Sequence, residues 1–189
     1  MDTKIILEDR NIWTISNFLS SIRIFLGIII YFLILNHASV SAILIAIVAI
    51  VSDFADGYLA RKRNEVSELG KILDPLGDKV SIALGSIALY QSYGLPLWIV
   101  VVIISRDFLI VLGSLILMHK TRKVTASEIP GKIAVTIVSL LLLSYLFEFH
   151  TIQQPLLYLT LIAVIISFGY YLRKFVLIIF MEVLPEGKD

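Results

Sequence analysis

The sequence predicts an all-α, polytopic membrane protein with six transmembrane helices and an N-terminal interfacial helix. Three observations carry that reading. Of the 189 residues, 58% are hydrophobic, and the mean hydropathy of +0.93 exceeds what soluble domains carry. Apolar stretches approaching the roughly 20 residues needed to cross a bilayer follow one another with brief polar breaks. Lysine and arginine gather at alternate breaks, as the positive-inside rule requires of a polytopic chain.

Residues 1–16 carry Lys4, Glu8, Asp9 and Arg10 and lack the small-residue cleavage site of a secretory signal. They read as a cytosolic segment whose Ile5, Ile6, Leu7, Ile12 and Trp13 lie in the headgroup layer. Apolar spans then follow at about 17–36, 39–61, 71–92, 96–118, 130–148 and 154–172. The breaks are Asn36-His37, the polar run 62–70, "SYGLP" at 92–96, "HKTRKVTASE" at 119–128 and "EFHTIQQP" at 148–155. The C-terminal "YYLRKFVLIIFMEVLP" is either the tail of a long sixth helix or a separate interfacial helix, with Tyr170, Tyr171, Arg173 and Lys174 as interface anchors. The whole chain is expected to form one membrane domain, 1–189.

Arg61, Lys62, Arg63 and Lys71 surround the second connection, and Lys120, Arg122 and Lys123 mark the fourth. Lys4 and Arg10 precede the first span; Arg173, Lys174 and Lys188 follow the last. The first, third and fifth connections contain neither lysine nor arginine. Both termini and the even-numbered connections are therefore expected in the cytosol. The chain has no cysteine, which excludes disulfides, thiolate ligands and a cysteine nucleophile. A net charge of +1 says nothing about partners, and no nucleic-acid partner is expected.

Against this apolar background, "SDFADGYLARKRNEVSELGKILDPLGDKV" (52–80) stands out. Asp53 and Asp56 are three residues apart, Asp74 and Asp78 four apart, so each pair shares a helix face. A short connection makes the second and third spans antiparallel neighbours and brings the four carboxylates together. An aspartate at the centre of a membrane helix costs about 2.5–3.5 kcal/mol, so four approach ~10 kcal/mol, less near the interface. A divalent cation relieves their repulsion, and an all-oxygen acidic set favours magnesium, manganese or calcium. Gly57, Ala60 and Gly70 leave space beside the carboxylates for a flat base or a phosphate, and Arg61 can meet a phosphate bidentately. Lys62, Arg63, Glu65 and Glu68 read as solvated surface.

Two further charges interrupt apolar runs: Arg106, followed by Asp107, in the fourth span, and Lys132, after Pro130-Gly131, in the fifth. Each is a candidate ligand for an acceptor's phosphate by its placement. The alternatives are an internal Arg106–Asp107 ion pair and a snorkelling Lys132.

Asp53, Asp56, Gly57, Ala60, Arg61, Gly70, Asp74 and Asp78 reproduce the spacing Asp-x2-Asp-Gly-x2-Ala-Arg-x8-Gly-x3-Asp-x3-Asp. This resembles the signature of the CDP-alcohol phosphotransferase family at all eight positions. The resemblance implies six transmembrane helices with an N-terminal interfacial helix, a homodimer, and divalent metal, Mg2+ or Mn2+, on Asp53, Asp56 and Asp74, with Asp78 sharing in a second site. It implies Asp78 as general base, Gly57, Ala60 and Gly70 around the cytidine, and Arg61 on a CDP phosphate. The substrates implied are CDP-diacylglycerol, whose tails remain among the membrane lipids, and a small alcohol acceptor. "Asn17-x2-Ser20-x2-Arg23" resembles the Asn-x2-Thr-x2-Arg start of bacterial phosphatidylglycerophosphate synthases, with serine for threonine, making Asn17 and Ser20 possible substrate ligands. "SRD" at 105–107 and "PGKIAVT" at 130–136 resemble that subgroup's Arg-Glu and Gly-Lys-x-Lys-Thr elements, with aspartate for glutamate and no second lysine.

The expected reaction is transfer of a phosphatidyl group to glycerol 3-phosphate, on the cytosolic side of a bacterial inner membrane, giving phosphatidylglycerophosphate and CMP. Inositol phosphate, phosphatidylglycerol (as in cardiolipin synthesis) and serine stand as alternative acceptors. An ion or proton transporter is a different class; it should carry acidic residues towards both faces, whereas these gather near one.

Overall fold

The computed structural model describes the backbone of residues 15–63, 68–121 and 128–183, and the side chains of 22–51, 76–117 and 128–179. Among the described residues six helices run in order: α1 (Ile15–Leu35), α2 (Ser39–Arg63), α3 (Glu68–Tyr93), α4 (Leu97–Thr121), α5 (Ile129–Leu146) and α6 (His150–Val183). No strand occurs among the described residues. The expected interfacial segment, residues 1–16, lies almost wholly outside them. The chain divides into two compact units, Met1–Gly94 and Leu95–Asp189.

In the first unit α1 packs against both α2 and α3. The α1–α2 turn ends the first helix by the αL device of helix C-termini. Ala38 N–H donates to Leu33 O (2.9 Å), His37 N–H donates to Ile34 O (3.0 Å), and His37 takes φ +55°. Near this turn Ser39 and Tyr93 hydroxyls share a hydrogen bond of 2.7 Å, and Tyr31 Oη donates to Gln91 Oε1 at 2.9 Å. Gly94, at φ +72°, closes α3 in the left-handed region open to glycine.

In the second unit α6 packs against α5 and α4. The α5–α6 turn repeats the first turn's chemistry. Phe149 N–H donates to Ser144 O (2.8 Å), Glu148 N–H donates to Tyr145 O (3.1 Å), and Glu148 has φ +56°. Pro130 sits in the first turn of α5, where a missing N–H forfeits no intrahelical bond.

Among the described residues, three helical stretches are long and apolar enough to cross a membrane: Leu97–Leu117, Ile129–Leu146 and His150–Ile179. Ile22–Leu35 and Ser39–Val51 are shorter apolar stretches within the described residues. Val101, Phe108, Leu109 and Leu112 of α4 are all exposed, an apolar surface that water does not tolerate and lipid does. This is a membrane protein.

The helices run past the apolar spans at several ends. α3 begins at Glu68 and α4 reaches Thr121, because hydropathy marks where lipid ends and backbone hydrogen bonding continues into water. α6 begins at His150, before the break expected through Pro155, and carries that proline inside it. A proline so near the start leaves only Thr151 O without its helical donor. At the other end α6 continues to Val183, so the C-terminal segment is the tail of the sixth helix and not a separate one. At 1.5 Å per residue its 34 residues span about 51 Å, against roughly 30 Å of hydrocarbon.

Candidate active site on the carboxylate helices

α2 and α3 carry the whole eight-residue pattern within continuous helix. Asp53, Asp56, Gly57, Ala60 and Arg61 lie in α2, and Gly70, Asp74 and Asp78 in α3. Within these helices Asp53 and Asp56 are three residues apart and Asp74 and Asp78 four apart. Asp53 precedes the end of α2 by ten residues, and Asp78 follows the start of α3 by ten. The side chains of Asp53, Asp56, Gly57, Ala60, Arg61, Gly70 and Asp74 lie outside the described residues, as do those of Asn17 and Ser20.

Asp78 is the aspartate of the four whose side chain is described. It is exposed, and its Oδ1 lies 3.0 Å from Arg23 Nη1 on α1. Arg23 itself is only 11% exposed, against 59% for Asp78. One turn further along, α1 and α3 come close together. A Cβ on Gly27 would lie 2.9 Å from Ser81 Oγ and 3.4 Å from Ser81 Cα. Ser81 Oγ in turn donates to Gly77 O at 3.0 Å. The link from Arg23 to Asp78 was missed in the sequence. Its signal was an arginine within the apolar first span, where a charge demands a partner.

The second unit holds the other two candidates. Arg106 and Asp107 are both buried, and Arg106 Nη1 donates to Asp107 Oδ1 at 2.5 Å. Arg106 Nη2 donates to Ser167 Oγ on α6. Its Nε is buried with no hydrogen-bond partner among the described residues. The ion pair weighed as an alternative for Arg106 is thus present, and one donor remains unsatisfied. Lys132 is exposed. Ser167 was unforeseen, since a single serine in an apolar helix carries no signal of a distant partner.

The start of α5 is held from α6. Lys174 Nζ lies 2.6 Å from Glu128 Oε1, and Glu128 N–H donates to Tyr171 Oη at 3.0 Å. Gly131 lets Tyr171 approach, because a Cβ there would lie 2.5 Å from Tyr171 Oη. Tyr171 and Lys174, read as interface anchors, thus also fasten the helix that bears Lys132.

The family model for CDP-alcohol phosphatidyltransferase matches residues 13–168. The chain belongs to the CDP-alcohol phosphatidyltransferase family. A CDP-diacylglycerol–glycerol-3-phosphate 3-phosphatidyltransferase of Aquifex aeolicus (strain VF5) is 33% identical over 178 residues, 89% of this chain and 99% of that protein. The protein of the same name from Bacillus subtilis (strain 168) is 41% identical over 96 residues, 51% of this chain and 49% of that protein. A cardiolipin synthase (CMP-forming) of Rattus norvegicus is 37% identical over 113 residues, 59% of this chain and 37% of that protein. The match thus spans about half the Bacillus relative and nearly all of the Aquifex one.

The donor set suits a divalent metal. All four candidate ligands are carboxylates, hard oxygen donors of the kind magnesium and manganese take. They sit on helices that both pack against α1.

Proposed function

We propose that this protein transfers the phosphatidyl group of CDP-diacylglycerol to a hydroxyl of glycerol 3-phosphate, giving phosphatidylglycerophosphate and CMP. The match over almost the full length of the Aquifex relative, which bears that activity in its name, carries the reading. The acceptor oxygen attacks the phosphorus that bears diacylglycerol. Its bond to that phosphorus forms as the phosphoanhydride bond to CMP breaks, and the hydroxyl proton passes to Asp78. Asp53, Asp56 and Asp74 would hold Mg2+ or Mn2+, with Asp78 sharing a second site. A divalent ion held there would offset negative charge on the diphosphate and on the CMP leaving group.

Arg61 binds a CDP phosphate, while Gly57, Ala60 and Gly70 admit the cytidine. Lys132 binds the phosphate of the acceptor. Arg106 joins it by offering the buried Nε to a phosphate oxygen, and Asn17 and Ser20 contact substrate. The protein crosses a bacterial inner membrane six times as one domain, with residues 1–16 at the interface and the site facing the cytosol. What supports that sidedness is the placement of basic residues around connections 64–67 and 122–127, whereas 36–38, 94–96 and 147–149 have none. It works as a homodimer among membrane lipids.

A second reading, with phosphatidylglycerol as acceptor, is favoured by the cardiolipin synthases among the relatives. The test is CMP release by purified protein with CDP-diacylglycerol and Mg2+. Glycerol 3-phosphate, phosphatidylglycerol, inositol phosphate and serine are supplied separately, with Asp78→Asn alongside. Acceleration by glycerol 3-phosphate alone, lost in Asp78→Asn, is the expected result. Acceleration by phosphatidylglycerol selects the second reading, and no CMP with any acceptor from folded protein removes both.

A further inference from the structure

We propose that Arg23 of α1 is a positioning residue for Asp78, which makes the first helix part of the reaction machinery. The inference rests on the activity proposed above and on Asp78 as its base. The asymmetry of the pair is the first argument. Arg23 is nine-tenths buried and Asp78 is more than half exposed, so the cation is the anchored partner. An exposed aspartate on a helix samples several rotamers, and one fixed donor at 3.0 Å selects among them.

Stability is a poor account of this arrangement. Ion pairs with an exposed partner contribute little, while removing a guanidinium from water is costly. A charge kept within an apolar helix against that cost marks a functional role. Arginine suits the task, because its planar fork stays charged at any working pH and fixes direction as well as distance.

The packing of α1 on α3 supplies the precision. Arg23 and Gly27 are one turn apart on α1, and Asp78 and Ser81 nearly one turn apart on α3, so the two contacts lie on one seam. Gly27 brings the backbones close, with no Cβ to hold Ser81 away. The helix spacing at Gly27 therefore sets the reach from Arg23 to Asp78. A displacement of about 1 Å at a reacting group costs up to roughly 100-fold in rate.

The experiment compares Arg23→Gln, Arg23→Lys, Asp78→Asn and the double variant Arg23→Gln/Asp78→Asn, with kcat and both KM values measured for each. Arg23→Gln should lose about 10-fold to 100-fold in kcat, with both KM values within about twofold and the thermal midpoint close to wild type. Arg23→Lys should recover part of the loss. In the Asp78→Asn background Arg23→Gln should have no further effect, since Arg23 acts through the carboxylate.

An active wild type whose Arg23→Gln variant keeps its kcat overturns the inference alone. So does a loss that appears only in KM, or one that multiplies fully with that of Asp78→Asn, because Arg23 would then bind substrate directly. A wild type that releases no CMP with any acceptor overturns the proposed activity, and the inference falls with it.

Discussion

Replacing Gly27 with alanine tests the α1–α3 seam without touching a charged group. The new Cβ would stand 2.9 Å from Ser81 Oγ and 3.4 Å from Ser81 Cα and Cβ. Overpacking of this kind costs about 1–3 kcal/mol. Ser81 can turn its hydroxyl away only by giving up the bond to Gly77 O, at a cost of about 0.5–1.5 kcal/mol. Alanine returns about 1 kcal/mol of helix propensity over glycine, so the net effect is a destabilisation of up to about 2 kcal/mol. In a Ser81→Ala background the 2.9 Å contact is gone and only the 3.4 Å contacts remain. There Gly27→Ala should be neutral or stabilising by up to about 1 kcal/mol, for a coupling of about 1–2 kcal/mol across the pair. Gly85→Ala, where no atom lies within 4 Å of the added Cβ, is the control, expected to stabilise by up to about 1 kcal/mol. The assay is unfolding in mixed detergent micelles followed by helical circular dichroism, with CMP release measured in parallel. Gly27→Ala as stable as Gly85→Ala with Ser81 in place would refute the close approach and the control of Asp78 argued from it.

Four other outcomes are expected. Arg106→Ala should cost about 3–5 kcal/mol in the same unfolding assay, since it takes a buried cation from buried Asp107; Arg106→Met/Asp107→Leu should recover much of that stability while remaining slow if Nε serves the acceptor phosphate. Lys132→Ala should raise KM for glycerol 3-phosphate about tenfold, with an unchanged melting curve because the side chain is exposed. Glu148→Gly should stabilise by about 1 kcal/mol, as it removes the strain of φ +56°, read as a higher unfolding midpoint. Chelation by EDTA should abolish CMP release, and Mg2+ or Mn2+ added in excess should restore it, which a metal-independent transferase would not show.

Much of the architecture was legible because lipid and water sort residues more sharply than a soluble core does. The apolar runs, the three-residue turns at 36–38, 94–96 and 147–149, and the alternating basic connections each leave a local mark. Helix ends were less legible: the start of α6 ahead of Pro155 and its continuation from Lys174 to Val183 depend on backbone geometry, which hydropathy does not record. The eight-residue pattern was read from spacing alone, since Asp53 and Asp56, and Asp74 and Asp78, need only a helix to share a face.

By itself, then, the sequence determined the helical membrane class and the residue types that make up the carboxylate pattern, because both depend on composition and on the 3.6-residue repeat. Only the tertiary structure decided that Arg23 meets Asp78 at 3.0 Å, that Ser167 meets Arg106, and that Lys174 and Tyr171 fasten the start of α5. These contacts join residues 43 to 61 positions apart, and no local periodicity encodes which side chain of a neighbouring helix will stand opposite. That choice is made by packing, where a glycine such as Gly27 lets two backbones close and so sets the distance between the charges beside it.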